Sequence, residues 1–229
     1  MKLKINDLSK TFFRNTQEAN YFYAVKDINL EITEGNFIEI IGKSGSGKTT
    51  LLNILSGLLE PNTGEVLIDD TNLFNLNDNE RSIFRNKNYG IIPQGQTGLQ
   101  NLTVLENILL PSILYSKEDK TEYGLKLLKR LDIEDLKDSY PNELSGGELR
   151  RMVIARALIM DPKIIFADEP TGDLDETNTT KVLDILKGIC NEGKIIFMVT
   201  HDKDAIKYAD KIYKMDNGIL SQYNDKNVI

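Results

Sequence analysis

The stretch FIEIIGKSGSGKTTLLNIL, Phe37–Leu55, decides how this chain is read. Its first five residues, Phe37–Ile41, form a short apolar strand that runs straight into a glycine-rich turn. From Gly42 to Thr49 the chain matches G-x-x-x-x-G-K-[ST] in full, and from Thr49 to Leu58 it reads as a helix. Glycines let the backbone curl so that its N–H groups wrap a phosphate, and the helix N-terminus adds a favourable dipole. Gly42, Lys43, Ser44, Gly45, Ser46, Gly47, Lys48, Thr49 and Thr50 are therefore the candidate nucleotide-binding set. Lys48 reaches β- and γ-phosphates, and the Thr49 hydroxyl is a Mg²⁺ ligand.

Working outward, LKIND and AVKDINLEI read as strands flanking a polar loop, RNTQEAN. GEVLIDD is a further strand after the turn signal PNTG. NDNE from Asn77 to Glu80 is a capping-box pattern opening a helix to about Lys87. From Thr103 to about Asp138 the chain is mostly helical, with Ser116 and Asp119 a candidate N-cap. Then KIIFADE and KIIFMVTHD return as buried strands, separated by a helix from Asn178 to Cys190. A short helix at DKDAIKYA, a strand at KIYKM and a hairpin turn at MDNGIL follow. Near-continuous apolar strands alternating with helices mean a mostly parallel sheet covered on both faces.

Ligands of such sheets bind beyond the carboxyl ends of the strands. The chemistry-bearing residues follow strands: Gly42 after FIEII, Asp168 and Glu169 after IIFA, and His201 after IIFMVT. Asp168 suits Mg²⁺, and Glu169 is placed to orient or deprotonate an attacking water. His201, the single histidine of the chain, would sit beside the γ-phosphate as a hydrogen-bond donor. Gln94 and Gln96 are both candidates, in the loop after YGII, for a neutral amide that touches metal or water.

LSGGELRRM, from Leu144 to Met152, is a second Gly-rich turn entering a helix, and so a second anion site. One chain with two phosphate-type sites needs an explanation that its composition does not supply. A chain of 229 residues with a net charge of −7 has the size of one domain and lacks a general nucleic-acid footprint. A lone cysteine, Cys190, excludes an internal disulfide and fits a reducing compartment. MKLKINDLSK does not read as a signal peptide, and the apolar stretch Asn107–Tyr115 is interrupted by Pro111 and too short to span a membrane. The expectation is a cytoplasmic protein able to bind a membrane partner.

LSGGE after a phosphate loop and shortly before IIFADEPTGDLD resembles the nucleotide-binding subunit of an ABC transporter, over about residues 3–220. PTGDLD and LTVLENILLP resemble the branch that holds macrolide exporters, lipoprotein-release ATPases, the cell-division ATPase–permease pair and antimicrobial-peptide exporters. The resemblance implies an α/β fold: a P-loop NTPase (RecA-like) core with a mostly parallel sheet, an antiparallel β subdomain and an inserted α-helical subdomain. It implies one domain over 1–229, with 1–93 and 141–229 forming the core and β subdomain and 94–140 the helical part.

The family's roles follow residue by residue, with ATP and Mg²⁺ as the cofactors. Phe12 would stack on adenine, with Phe13 as its neighbour and alternative. Gln94 fits the spacing to LTVLEN and Gln96 does not, although Pro93 stands where the family usually has Phe. Thr49, Gln94 and Asp168 would hold the metal; Glu169, His201 and Lys48 would be catalytic; Asp175 belongs to the D-loop, Gly172–Asp175.

Ser145, Gly146, Gly147 and Glu148 would complete the site of a second, head-to-tail copy, with Ser145 and the Gly147 N–H aimed at its γ-phosphate. Glu148 stands where the family often has Gln, and it is expected to face ribose hydroxyls or Arg151 rather than phosphate. The implied partners are that second copy and a transmembrane permease, with no nucleic acid. The implied place is the inner face of the cell membrane, through the permease. An ATPase powering export or extraction of peptide, drug or lipid-linked substrate is the leading reading. A mechanical or regulatory ATPase of cell division or cell-wall signalling is the alternative, and a soluble ATPase of DNA repair or translation a third.

Overall fold

A computed structural model describes residues 1–13, 21–95, 97–116 and 118–223, the Lys203 side chain excepted. The polar loop RNTQEAN and Gln96 lie outside the described residues. Ten strands and six α-helices follow from the described chain.

The first strands, β1 (Lys2–Phe13) and β2 (Tyr21–Thr33), pair antiparallel and run further than their apolar cores LKIND and AVKDINLEI. The end of the extension is rich in aromatic residues paired across the ribbon, Phe12 with Phe22 and Phe13 with Tyr21, next to Thr11 opposite Tyr23. Such cross-strand aromatic pairs stabilise a ribbon beyond its sheet. With β4 (Thr63–Ile68) and β5 (Thr71–Asn72) they form a four-stranded sheet in the order β2-β1-β4-β5.

The second sheet holds β3 (Phe37–Ile41), β6 (Tyr89–Ile92), β7 (Ile164–Asp168), β8 (Ile195–Thr200), β9 (Lys211–Asp216) and β10 (Ile219–Gln222). Its order is β10-β9-β3-β8-β7-β6, parallel throughout except for the β9–β10 hairpin. Every residue of β7 and β8 is buried, as their unbroken apolar runs require of strands covered on both faces. Alternate side chains enter opposite cores. Phe37, Ile165, Ala167, Ile196 and Met198 pack with the helices α5 (Gly146–Leu158) and α6 (Glu176–Asn191). Ile38, Ile40, Ile164, Phe166 and Phe197 pack with α1 (Lys48–Leu55) and the four-stranded sheet.

Two expectations are corrected. The helix after the phosphate loop stops at Leu55, not Leu58, because the Ser56 N–H bonds back to Leu52 and the Leu58 N–H to the Asn53 carbonyl, closing the last turn. Ser116 and Asp119 do not cap a common helix start. Ser116 ends α3 (Val104–Tyr115), and α4 (Thr121–Arg130) begins where the Thr121 N–H donates to Asp119 Oδ1. The cap that opens α3 is instead the Thr103–Glu106 box, and Asn77–Glu80 opens α2 (Asp78–Asn88) in the same way. No helix among the described residues is long and apolar enough to cross a membrane.

Candidate functional site

The phosphate loop joins β3 to α1 at the carboxyl edge of the parallel sheet. At Gly47 φ is +107°, and a Cβ would lie 1.9 Å from the Ala24 carbonyl oxygen, so only glycine lets the loop lie against β2. Lys48 is buried, and its Nζ donates to the carbonyl oxygens of Gly42 (2.7 Å) and Lys43 (3.2 Å). That places a cation across the loop. Thr49 Oγ1 donates to Asp168 Oδ1 at 3.3 Å, joining the start of α1 to the end of β7. Burial pushes the Asp168 carboxyl above its ordinary value, opposed by the Thr49 hydrogen bond and aided by the neighbouring Glu169 charge.

Glu169 follows with φ +47°, a left-handed backbone that is costly for a residue with a Cβ. The surroundings over-determine it. Its N–H donates to the Val199 carbonyl, and its Oε2 accepts from Thr200 Oγ1 (3.0 Å) and the His201 N–H (3.2 Å). His201 Nδ1 lies 3.0 Å from the same oxygen, while most of the imidazole is exposed. No described residue donates to Glu169 Oε1, which leaves one carboxylate oxygen fixed and the other available.

Glu169 and His201 line one open cavity of about 640 Å³, together with the whole loop from Gly42 to Thr50 and with Gln94; Asp168 is not part of its lining and is joined to it through Thr49. Phe12 enters it too, whereas Phe13 is 80 % exposed and lines a separate depression on the other side of the ribbon. Gln94 sits just past β6, in a loop tied to α5 at two points. Arg150 donates to the Pro93 carbonyl at 3.0 Å, and Arg156 to the carbonyl and hydroxyl of Thr97 at 2.9 and 3.1 Å.

Ser145, Gly146, Gly147 and Glu148 line no part of this cavity. Ser145 is the N-cap of α5, and Glu148 turns back to accept from its N–H (2.8 Å) and Oγ (2.7 Å). This capping box holds the Glu148 carboxyl below its ordinary value, with a smaller contribution from Arg151. Glu148 is thus occupied by its own helix cap. Asp175 caps α6, accepting from the Asn178 N–H at 2.9 Å. Gly147 meets that cap so closely that a Cβ would lie 2.3 Å from Asn178 Oδ1.

The family model described as ABC transporter matches residues 25–172 of this chain, well over half of it. The chain belongs to the ABC transporter family. It is 40 % identical to the lipoprotein-releasing system ATP-binding protein LolD of Leptospira interrogans, over 96 % of this chain and 91 % of that protein. It is also 40 % identical to the macrolide export ATP-binding/permease protein MacB of Chlorobium phaeobacteroides, over 95 % of this chain and 33 % of that longer one. Among solved structures, the ATP-binding cassette MJ0796, a dimer in a post-hydrolysis state bound to ADP and Pi, superposes with a TM-score of 0.84. That cassette is 34 % identical, over 97 % of this chain and 99 % of its own. These relatives place the chain in the lipoprotein-release and macrolide-exporter branch, with a P-loop NTPase fold and ATP hydrolysis as its activity.

The residues of this ABC ATPase fit ATP and Mg²⁺. Among the described residues no three His, Cys, Asp or Glu side chains could hold a metal ion together. A hydroxyl, an amide and one carboxylate, from Thr49, Gln94 and Asp168, would instead offer Mg²⁺ a partial set of hard oxygen ligands, to be completed by phosphate and water oxygens. Sequence reasoning missed Phe22 and Ala24, which line the cavity beside Phe12. The Phe12 and Phe22 ring centroids are 6.1 Å apart. Only the register of the hairpin reveals that pair. It also missed Thr200, Arg150 and Arg156, whose partners lie far away in sequence.

Proposed function

We propose that this ABC ATPase acts as a head-to-tail pair of copies that powers a transmembrane permease in export or extraction of a peptide, drug or lipid-linked substrate. The observation that carries the pairing is the separation of two anion sites in one chain. The cavity contains the phosphate loop, Glu169 and His201, while the N-terminus of α5, capped by Ser145, faces elsewhere. A second copy brings its own α5 N-terminus to the open side of the cavity, where Ser145, Gly146 and the Gly147 N–H meet the γ-phosphate.

Within the site, Phe12 stacks on the adenine, the loop N–H groups and Lys48 hold the phosphates, and His201 donates to the γ-phosphate. Mg²⁺, held by Thr49, Asp168 and Gln94, supplies positive charge against the phosphate oxygens. Glu169 Oε1 takes the proton of the attacking water, because Oε2 is already held by Thr200 and His201. Asp175 orders the D-loop between the two sites by fixing the start of α6.

The helical segment within 94–140 carries the motion outward. Its exposed Tyr115 lines a groove of about 240 Å³ between α3 and the core, whose other walls include Arg85, Pro111 and Arg156, and Ile113 and Leu114 are exposed on the same helix. A groove with aromatic and basic walls beside exposed apolar side chains suits a short permease helix. Docked there, the protein is cytoplasmic and peripheral to the inner membrane face.

Complementation tests the pairing. A Lys48→Ala chain and a Ser145→Arg chain are each expected to be inactive, and mixing them restores hydrolysis, because one of the two composite sites is then intact. A mixture no more active than the sum of its parts refutes the shared site. Co-expression with the permease from the neighbouring reading frame tests the transport role: a complex with stimulated hydrolysis supports it, and its absence refutes it.

A further inference from the structure

Glu39 is the middle residue of β3, fully buried, and neither of its carboxyl oxygens has a hydrogen-bond partner. Buried polar atoms are almost always paired, so an orphaned carboxyl on the central strand needs an explanation. Its register is opposite Met198 of β8 and Ile212 of β9. Side chains two apart on a strand share a face, so Glu39 lies on the face of Thr200, one pleat below the turn that carries His201 and Asp202.

The groups around it are few. On this face β8 offers Met198 and Thr200, and β9 offers Ile212 and the exposed Lys214. The turn Lys203–Tyr208 brings Ala205, the exposed Asp204 and Lys207, and Tyr208, whose hydroxyl is engaged by Asp184. The charge that bears on Glu39 among the described residues is the Asp202 carboxylate. Burial first, and Asp202 second, push the Glu39 carboxyl up to about 8, so at neutral pH it carries a proton.

Asp202 is connected to the hydrolytic group. Its N–H donates to Thr200 Oγ1 at 3.0 Å, and Thr200 Oγ1 donates to Glu169 Oε2 at 3.0 Å. Its carboxylate accepts from Thr171 Oγ1 (3.1 Å) and the Asp204 N–H (2.9 Å). Any displacement of Asp202 therefore reaches Glu169 through one hydroxyl.

We propose that Glu39 is a positioning residue for hydrolysis: its buried, unpartnered carboxyl is the group that receives the Asp202 carboxylate when the turn carrying His201 closes on the phosphate. One proton, resident on Glu39, then serves both carboxyls. Without it the two negative charges repel and drive the turn, Thr200 and Glu169 out of place. This rests on the reading of Glu169 and His201 given above.

The test compares the full chain with Glu39→Gln, which keeps a neutral donor, and Glu39→Met, which fills the space without one. The kcat and KM for ATP are followed between about pH 6 and pH 9.5, and the Glu39 carboxyl is titrated by carbon-13 NMR, assigned by its loss in Glu39→Gln. The wild-type kcat is expected to fall on the alkaline side with a midpoint of about 8, reaching roughly a tenth of its plateau one pH unit higher. Glu39→Gln keeps the plateau; Glu39→Met loses kcat severalfold at pH 7; neither changes KM.

The carboxyl should titrate at the same midpoint as kcat, and Asp202→Asn should move it down. The unfolded chain gives up this proton near 4.5 and the folded chain holds it to about 8, so stability falls as pH rises through that window, and Glu39→Gln removes the slope. An alkaline limb shared by wild type and Glu39→Gln, a carboxyl titrating in the ordinary range, or a Glu39→Met chain at wild-type rate overturns the proposal. The carboxyl titration needs no hydrolysis, so it stands or falls separately from the assignment of Glu169 as the base.

Discussion

Replacing Glu169 by Gln separates the charge of this residue from its shape. The amide oxygen of Gln can take the place of Oε2 and accept from Thr200 Oγ1 and the His201 N–H, so the local network survives. Two hydrogen bonds lose the charge-assisted part of their strength, about 1 kcal/mol each. Against that, removing a carboxylate beside Asp168 relieves a repulsion that raises the Asp168 pKa. The terms oppose, and the thermal midpoint is expected to stay within a few degrees.

Hydrolysis is affected differently. The NH₂ that replaces Oε1 cannot take a proton from water, and a positioned general base contributes about 10²–10⁴ in rate, which is about 3–5 kcal/mol of barrier. Single-turnover release of phosphate reads that loss directly. Equilibrium binding of ATP reads whether the site is otherwise whole, and size-exclusion chromatography with ATP should show an accumulated dimer. A Gln variant that hydrolyses within about tenfold of wild type, with its affinity for ATP unchanged, refutes the assignment of Glu169 as the base.

Phe12→Ala should weaken ATP binding about 5- to 150-fold, the equivalent of losing about 1–3 kcal/mol of base stacking, while Phe13→Ala leaves it unchanged; equal effects in a nucleotide titration would refute the placement of the two rings. Gly147→Ala drives a methyl into the Asn178 amide and should cost about 1–3 kcal/mol of stability. Calorimetry should show a midpoint several degrees lower, partly restored by adding Asn178→Ala; no loss in the single variant means that the contact between α5 and the D-loop helix is loose.

The catalytic parts of the site that were legible in the sequence share one trait: each follows a short, mainly apolar strand. FIEII announces Gly42, IIFA announces Asp168 and Glu169, and IIFMVT announces His201, because a fully buried parallel strand delivers its carboxyl end to a common edge. The helix cap at Asn77–Glu80 was legible because both halves of its box lie within four residues, but the equally local boxes at Thr103–Glu106 and Ser145–Glu148 were missed. What stayed hidden depends on distance along the chain. Arg150 and Arg156 reach carbonyls 57 and 59 positions away, and Phe22 meets Phe12 only through the register of the ribbon. Glu39 was hidden by its setting: in a sheet covered on both faces, a carboxyl in mid-strand has no solvent side to point to.

The two arginine contacts to the loop of Gln94 have a mechanical meaning. Pro93 and Thr97 are four positions apart, and both are pinned to the same helix, α5. Both residues therefore follow α5 when it turns. The orientation of α5, and with it the signature turn offered to a second copy, is geared to the position of Gln94 through its neighbour Pro93. Adding one residue between Gly95 and Thr97 would introduce slack into the gear while leaving every catalytic group in place, giving a machine that burns ATP and moves nothing.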